Sequence, residues 1–284
     1  MIGAHISTAG GIEKAVPRAV EMGAEAMQIF ASSPRAWAFK APTEQAANGF
    51  KQAAAKAGLG PTVFHAAYLV ALGAPDEALL LKSVESLVNY LKTAETLGAD
   101  GVIFHPASHR GAGYDAVEAQ IVGAVRTILK SAPGRPWLAL ENSAGMGDHI
   151  GSKFDELGRL VKAIAHPRIR VCLDTQHAWA AGYDVATQKG LDQTLGEFDR
   201  HIGLKLMAAV HANDSKTPRG SSVDRHENIG EGTIGRAGFR TILAHPHFAK
   251  LPLYLEVPGF EDTGPDKRNV DILKAIRKEA GTSK

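Results

Sequence analysis

The chain has 284 residues, of which 44% are hydrophobic and 22% are charged, and this composition indicates a globular protein with a substantial core rather than a disordered one. Its formal net charge of +2 excludes a strong overall attraction to DNA or to an anionic membrane, so any nucleic-acid-binding surface must be local. The single cysteine, Cys172, excludes an intramolecular disulfide and a cysteine-based zinc cluster. No run approaches the ~20 apolar residues of a membrane span and no signal peptide is evident, so we expect a cytoplasmic protein without a membrane partner.

A short apolar run followed by an amphipathic helical pattern recurs along the whole chain. After the first run, Ile12, Val16 and Val20 lie at helical spacing before Gly23. In the later helices, side chains at the N-cap and glycines at the C-terminus mark the ends. Predicted caps are Thr43 and Asp115, Asp76 and Ser152 are expected to start the third and fifth long helices, and Gly58 and Gly98 are predicted C-terminal residues.

Eight strand-helix units of this kind predict a closed (β/α)₈ TIM barrel that forms a single domain over residues 1–284. The alternative is a doubly wound open sheet, but no Gly-x-Gly-x-x-Gly follows the first strand. The eight predicted strands are residues 2–6, 26–30, 61–65, 101–105, 137–141, 169–174, 206–211 and 253–257.

Six of the predicted strands, the third to the eighth, end in or near a histidine or a carboxylate. Successive members of this set are 33 to 45 residues apart, about the length of one strand-helix repeat. In a barrel they would meet at the C-terminal rim, where the catalytic groups of this fold are found. The six residues are His65, His105, Glu141, Asp174, His211 and Glu256.

Three further residues extend this set to five histidines and four carboxylates. Asp224 and His226 stand two apart in a glycine-flanked loop, so an extended backbone points both side chains the same way, and His177 follows Asp174 by three residues. Nitrogen and oxygen donors without cysteine suit catalytic Zn²⁺, with Mn²⁺ or Fe²⁺ as alternatives. Nine donors are enough for two or three ions. Any one of these histidines alone is better explained by hydrogen bonding or packing, and it is the occurrence of metal-binding side chains at six strand ends that favours a metal site.

Outside this set, His5 and His109 are candidates for orienting ligands or substrate, because they lie at the first predicted strand end and just past His105. Cys172 is interpreted as a small buried hydrophobic residue.

From residue 2 to residue 256 the sequence resembles endonuclease IV, a family of metal-dependent apurinic/apyrimidinic endonucleases with a TIM-barrel fold. The most specific motifs are Leu-Asp-Thr-Gln-His-Ala-Trp-Ala-Ala-Gly-Tyr-Asp at 173–184, His-Ala-Asn-Asp-Ser-Lys at 211–216 and Val-Asp-Arg-His-Glu-Asn-Ile-Gly-Glu-Gly at 223–232. Three positions depart from the family pattern, and none is a proposed metal ligand. They are Gln176, Ala107 and Val257.

The resemblance implies a site for three zinc ions, with Mn²⁺ as an alternative at one of them. Glu141 would bridge the first two ions and, with Glu256, would serve catalysis, because Glu256 would help to orient the attacking hydroxide. The implied ligands are His65, His105 and Glu141 for the first ion; Glu141, Asp174, His211 and Glu256 for the second; and His177, Asp224 and His226 for the third.

The resemblance also implies abasic double-stranded DNA as the partner of an enzyme expected to act as a monomer. Arg35, near Trp37, and the pair Tyr68 and Leu69 would enter the DNA at the lesion and occupy the gap in the base stack. Without the family, Tyr68 and Leu69 are equally well explained as a buried loop anchor. Lys216, Arg219 and Arg225 are candidates for phosphate contacts, although isolated surface cations are normally just solvated.

The leading hypothesis is therefore hydrolysis of the phosphodiester 5′ to an abasic site by a metal-activated hydroxide attacking in line at phosphorus. The products would be a 3′-hydroxyl and a 5′-deoxyribose phosphate, and 3′ blocking groups would be trimmed at the same site. Two alternatives remain open at this point. A metal-dependent sugar isomerase or epimerase uses similar rim residues on the same barrel, and a lesion-binding protein would bind abasic DNA without cleaving it.

Overall fold

The computed structural model describes residues 1–106 and 108–281, and its eight main strands close into a parallel barrel. The barrel strands are β1 (Ile2–His5), β2 (Ala26–Ile29), β3 (Thr62–His65), β4 (Gly101–Phe104), β5 (Trp137–Glu141), β6 (Ile169–Asp174), β7 (Met207–His211) and β10 (Leu253–Leu255). Around the barrel the strand order is β1-β10-β7-β6-β5-β4-β3-β2. The first strand pairs with the second and also with the last, with Ile2 opposite Leu253, so the sheet has no edge and the open-sheet alternative is wrong.

Helices cover the outside of the barrel, as the TIM-barrel prediction requires. Thr43 caps its helix through its side chain, and Gly58 and Gly98 lie at the C-terminal ends, as predicted, both in left-handed conformations. The helix expected from Asp76 starts there, and the Asp76 side chain caps it. The helices are α1 (Ala15–Met22), α2 (Glu44–Ala57), α3 (Glu77–Leu97), α4 (Tyr114–Ser131), α5 (Phe154–Ile164), α6 (Thr175–Ala180), α7 (Gln188–His201), α8 (Gly235–Ala244) and α9 (Lys267–Glu279). In the described part of the chain, none of them has the length and apolar character that a membrane crossing requires.

Two predicted helix starts are wrong. The fourth long helix is preceded by Gly113, which places Asp115 in the first turn, where its carboxylate accepts a hydrogen bond from Arg159 at 2.7 Å. Asp115 is therefore engaged by a neighbouring helix and does not cap its own. The fifth helix begins at Phe154 rather than Ser152, because the backbone N–H of Phe154 donates to the hydroxyl of Tyr183.

The core has two layers, which follow from the alternation of side chains along each strand. Outward side chains pack against the helices, as Phe64 and Phe104 do, and a fully buried aliphatic or aromatic side chain of this kind contributes about 1.5–3 kcal/mol. At the N-terminal end of the barrel the ring of Trp137 lies 2.1 Å from where a β-carbon of Gly101 would stand, so that position has to be glycine. The inward layer consists of Ala26, Val63, Ile103, Ala139, Cys172, Ala209 and Tyr254.

Candidate metal centre

Each barrel strand places one more inward side chain two residues beyond this inner layer, at the C-terminal rim. Because the side-chain period is two, all eight point into the same space. His105 and Glu256 belong to this set although β4 and β10 end one residue before them. We call these eight residues the rim ring: His5, Gln28, His65, His105, Glu141, Asp174, His211 and Glu256.

His65, His105 and Glu141 form the first group of potential ligands. Nε2 of His65 lies 3.2 Å and Nε2 of His105 lies 3.6 Å from the same carboxylate oxygen of Glu141. The other ring nitrogen of His65 donates to the carbonyl of Ala66 at 2.8 Å, which leaves the Nε2 lone pair facing the group. One donor atom from each residue therefore lies within 4.8 Å of the others, a spacing that can surround one ion.

The second group consists of Glu141, Asp174, His211 and Glu256. Nδ1 of His211 lies 2.9 Å from Glu141, 3.2 Å from Glu256 and 3.8 Å from Asp174. Glu141 belongs to both groups: one of its oxygens faces His65 and His105, and the other faces His211. The two groups are therefore joined by a single buried carboxylate.

The third group lies beside the second and depends on two short elements that the sequence did not predict. Asp174 caps α6 through the backbone N–H of His177, and the two-stranded hairpin of β8 (Asp214–Ser215) and β9 (His226–Glu227) carries His226. Asp224 lies 3.4 Å from Nε2 of His177 and 3.5 Å from Nε2 of His226. His226 also comes within 3.8 Å of Asp174. One donor atom each of Asp174, His177 and His226 lies within 4.8 Å of the others, so the structure adds Asp174 to the predicted third set, and Asp174 joins this group to the second.

The protonation equilibria of the centre show how strongly these charges interact. Burial opposes a charged Glu141, but the neighbouring His105, His211 and His177 outweigh burial and hold its pKa well below the usual value. Burial also opposes a charged His177, whose pKa is nevertheless raised well above the usual value by Asp174 and by its hydrogen bond to Asp224. The buried carboxylate of Glu141 is therefore stabilised by the positive charge around it.

A divalent cation would supply such positive charge. The donors are imidazole nitrogens and carboxylate oxygens, the combination that zinc takes at catalytic sites. Nε2 of His226 is buried and makes no hydrogen bond to the described residues, yet it faces Asp174 and Asp224 at 3.8 and 3.5 Å. A buried nitrogen aimed at two carboxylates without a hydrogen bond is what a ligand of an ion between them would show.

The residues expected to enter DNA lie on loops beside this centre. Tyr68 is 63% exposed, which argues against the interpretation as a buried anchor, and its ring packs edge-on against Phe30. Its backbone N–H donates to Pro34, which ties its loop to the loop of the exposed Arg35. Leu69 is half-buried. A cavity of about 480 Å³ extends from these loops to the centre; its lining includes Trp37, Tyr68, Leu69, His105, His177 and Asp224.

The predicted phosphate contacts differ in how free their charges are. Lys216 and Arg225 are exposed and lie opposite each other, since the backbone N–H of Lys216 donates to the carbonyl of Arg225. Lys216 forms an ion pair with Glu227 at 3.6 Å, and Arg219 forms one with Asp184 at 3.2 Å. The guanidinium of Arg225 donates to the carbonyl of Asp224 and forms no ion pair with the described residues, so Arg225 is the best placed of the three to contact a phosphate.

Sequence reasoning missed several residues that contact the candidate ligands. Gln28 is fully buried in the rim ring, and Asn213 donates to Asp174 at 2.7 Å while it accepts from the backbone of Glu256. A glutamine inside an apolar strand was the available signal for Gln28. Met146 is 39% exposed and lines the cavity beside Tyr68.

Of the candidates for orienting roles, His5 lies in the ring and contacts Gln28, whereas His109 contacts Asp148 and Gly113 in a loop. The buried Gln176 donates to Val223 next to Asp224. Val257 is buried, and Ala107 lies outside the described residues.

Comparisons with known proteins agree with one another. A family model described as a xylose isomerase-like TIM barrel matches residues 16–279. A probable endonuclease 4 from Halothermothrix orenii is 39% identical over 279 residues, which cover 98% of this chain and 99% of that protein. A probable endonuclease 4 from Methanoculleus marisnigri is 42% identical over 269 residues, covering 93% and 95%.

Among solved structures, endonuclease IV from Thermus thermophilus superposes with a TM-score of 0.87 at 38% identity, and the match covers 98% of this chain and 99% of that one. A D-tagatose 3-epimerase-like protein superposes with a TM-score of 0.76 at 17% identity over 99% and 98% of the two chains, which shows a shared fold alone. By its sequence over nearly the full length, and by its fold, this chain belongs to the endonuclease IV family.

Proposed function

We propose that this protein is a zinc-dependent DNA-repair endonuclease that hydrolyses the phosphodiester 5′ to an abasic site. The products are a 3′-hydroxyl and a 5′-deoxyribose phosphate, and blocked 3′ ends are trimmed at the same site. The observation that carries the proposal is the convergence of three donor groups at one rim, joined through Glu141 and Asp174. We assign one zinc ion to each group, with Mn²⁺ as an alternative in one of them.

The third group distinguishes this proposal from a sugar isomerase or epimerase on the same barrel. Chemistry on a small sugar is served by one or two divalent ions, and the first two groups would suffice for it. Asp224 and His226 add a further set of donors from the β8–β9 region, next to the cavity lined by Tyr68 and Leu69. An extended polymer with an anionic backbone makes use of both features.

Divalent ions bound here would supply a nucleophile from water at neutral pH and would offset the negative charge that protects a phosphodiester from attack. The side chains of the chain itself have different tasks. Glu141 is completely buried and held by histidines on both sides, so it fixes the distance between the first two groups. Glu256 is 17% exposed at the edge of the site, where its carboxylate can orient the attacking water.

Selection of abasic DNA follows from the cost of taking a nucleotide out of the base stack. That cost is a few kcal/mol, and it is lower where the base is already missing. Tyr68 and Leu69, with Arg35 on the adjoining loop, would fill the gap left in the duplex, as apolar wedges do in other DNA-bending proteins. Lys216 and Arg225 would bind the phosphate backbone. We expect the active form to be a monomer.

The test is cleavage of a duplex that contains one tetrahydrofuran abasic analogue, with and without a metal chelator. We expect a single nick 5′ to the analogue, a free 3′-hydroxyl, and loss of activity with the chelator that added zinc restores. An intact duplex at every concentration of fully metal-loaded protein would refute the proposal.

Two further results would identify the alternatives. Tight binding of the abasic duplex without a nick would indicate a lesion-binding protein. Epimerisation of a ketohexose, measured in parallel, would indicate the sugar enzyme.

A further inference from the structure

Gln28 is the one member of the rim ring that is neither a histidine nor a carboxylate. It lies on β2, beside His5 of β1, and its side chain is completely buried. A buried carboxamide has two donor hydrogens and an acceptor oxygen that must be satisfied, because an unmatched buried polar group costs about 1–3 kcal/mol. The partners that satisfy it are residues of the proposed metal centre.

The contacts of Gln28 determine which way its amide faces. Its nitrogen lies 2.5 Å from a carboxylate oxygen of Glu256, and 3.0 Å from Nδ1 of His5. An ionised carboxylate can only accept, so the amide nitrogen must be the group that faces Glu256. The amide oxygen then faces Nε2 of His211 at 2.8 Å, and because that oxygen can only accept, Nε2 carries the proton.

This hydrogen bond leaves Nδ1 of His211 to face the second group of donors. Nδ1 lies 2.9 Å from Glu141 and 3.2 Å from Glu256. In the first and third groups the matching acceptors are main-chain carbonyls: Ala66 for His65, and Asn142 for His177. Those carbonyls are fixed by the fold, whereas the acceptor for His211 is a side chain that a substitution can remove.

The same carboxamide also selects the oxygen that Glu256 directs towards the centre. By donating to one carboxylate oxygen, Gln28 leaves the other to face Nδ1 of His211. The backbone of Glu256 is anchored separately, through its N–H to Asn213 at 2.7 Å. Gln28 therefore connects ligands from the ends of β7 and β10, two neighbouring strands, through one rigid planar group.

We infer that Gln28 is a positioning residue for the second metal ion. It holds His211 in the tautomer protonated on Nε2, so that Nδ1 faces the ion, and it fixes the carboxylate of Glu256. The inference rests on the proposed function only in taking the second group to hold zinc. Loss of such an orienting partner typically weakens metal binding 10- to 100-fold. The effect concerns one ion of three, because the two proposed ligands to which Gln28 hydrogen-bonds, His211 and Glu256, both belong to the second group.

The test uses the full chain and measures zinc without DNA. Gln28→Met keeps the length of the side chain and removes the hydrogen bonds to His211 and Glu256, so one of the three zinc ions should bind 10- to 100-fold more weakly in chelator competition. Gln28→Glu keeps an acceptor for His211. Proton–nitrogen correlation spectra of the histidine rings should show His211 protonated on Nε2 in the zinc-loaded wild type and in Gln28→Glu. In Gln28→Met, His211 should not be held in this single tautomer.

Thr93→Val is the matched control, because it removes a buried side-chain hydrogen bond on α3 while keeping the shape. It should leave all three zinc affinities unchanged. Zinc affinities within twofold of wild type in a folded Gln28→Met protein would overturn the inference. If that variant does not fold, a wild-type spectrum with His211 protonated on Nδ1 would overturn it equally. Because neither measurement involves DNA, failure of abasic-site cleavage would count against the proposed function alone.

Discussion

Replacement of Glu141 by glutamine is the most direct test of the metal assignment. The change keeps the shape of the side chain but replaces an anionic carboxylate, whose two oxygens face two donor groups, with a neutral amide. Removing one partner of a buried charge pair costs about 3–5 kcal/mol, because the other charge is left uncompensated. At 1.4 kcal/mol per factor of ten, each of the first two ions should bind more than 100-fold more weakly.

The assay is zinc analysis of purified protein after dialysis against a weak chelator, followed by nicking of an abasic duplex. The zinc content of Glu141→Gln should fall from three ions per chain towards one, and nicking should be lost with it. Glu197→Gln, on the exposed face of α7, removes the same charge away from the rim and should keep all three ions. Unchanged stoichiometry in Glu141→Gln would refute the assignment of Glu141 as a bridge.

Three other predictions concern the DNA wedge, the closure of the barrel and the metal. Tyr68→Ala should weaken binding of an abasic duplex by about 1–3 kcal/mol with unchanged zinc content, because a base-sized aromatic contact is lost; equal loss for undamaged DNA would contradict the wedge role. Arg277 holds the pKa of Glu25 at about 2, below its usual 4.5, so the ion pair stabilises the fold above pH 4.5 and the stability is lost as the pH falls through about 2. Glu25→Gln should therefore lower the unfolding free energy by about 1–2 kcal/mol at pH 7, after allowance for solvent screening. The difference in unfolding free energy between the wild type and this variant, measured by urea titration, should become smaller as the pH is lowered. Removing zinc held at a thousandfold excess over its dissociation constant should cost about 4 kcal/mol per ion, seen as a drop of roughly 10 °C in the unfolding midpoint; an unchanged midpoint would mean that no ion binds the folded state preferentially.

The fold was predictable because every strand-helix unit repeats the same apolar pattern. Thr43, Asp76, Gly58 and Gly98 occupy the helix ends that their chemistry favours, so local and global preferences agree. Asp115 was mispredicted since a competing partner on another helix, Arg159, takes its carboxylate. The sequence of one helix alone does not show that a residue of another helix will bind its carboxylate.

The candidate site was less predictable, because much of it depends on contacts between distant parts of the chain. The histidines and carboxylates at the strand ends could be recognised by residue type and spacing. The amide side chains that hold them could not: Gln28 is 183 residues from His211, and Asn213 is 39 residues from Asp174. Glutamine and asparagine are common in many environments, so only the folded barrel shows which of them face a ligand.

The seam where the barrel closes has a consequence for the order in which the centre can be assembled. The first donor group is complete once the chain extends to Glu141, whereas the second needs Glu256, which follows the strand that pairs with β1. That pairing joins Ile2 to Leu253, one of the most distant contacts in the chain and therefore costly in chain entropy. The second group can therefore bind a metal ion only after the two ends of the chain have paired, and an ion bound there would stabilise the closed barrel.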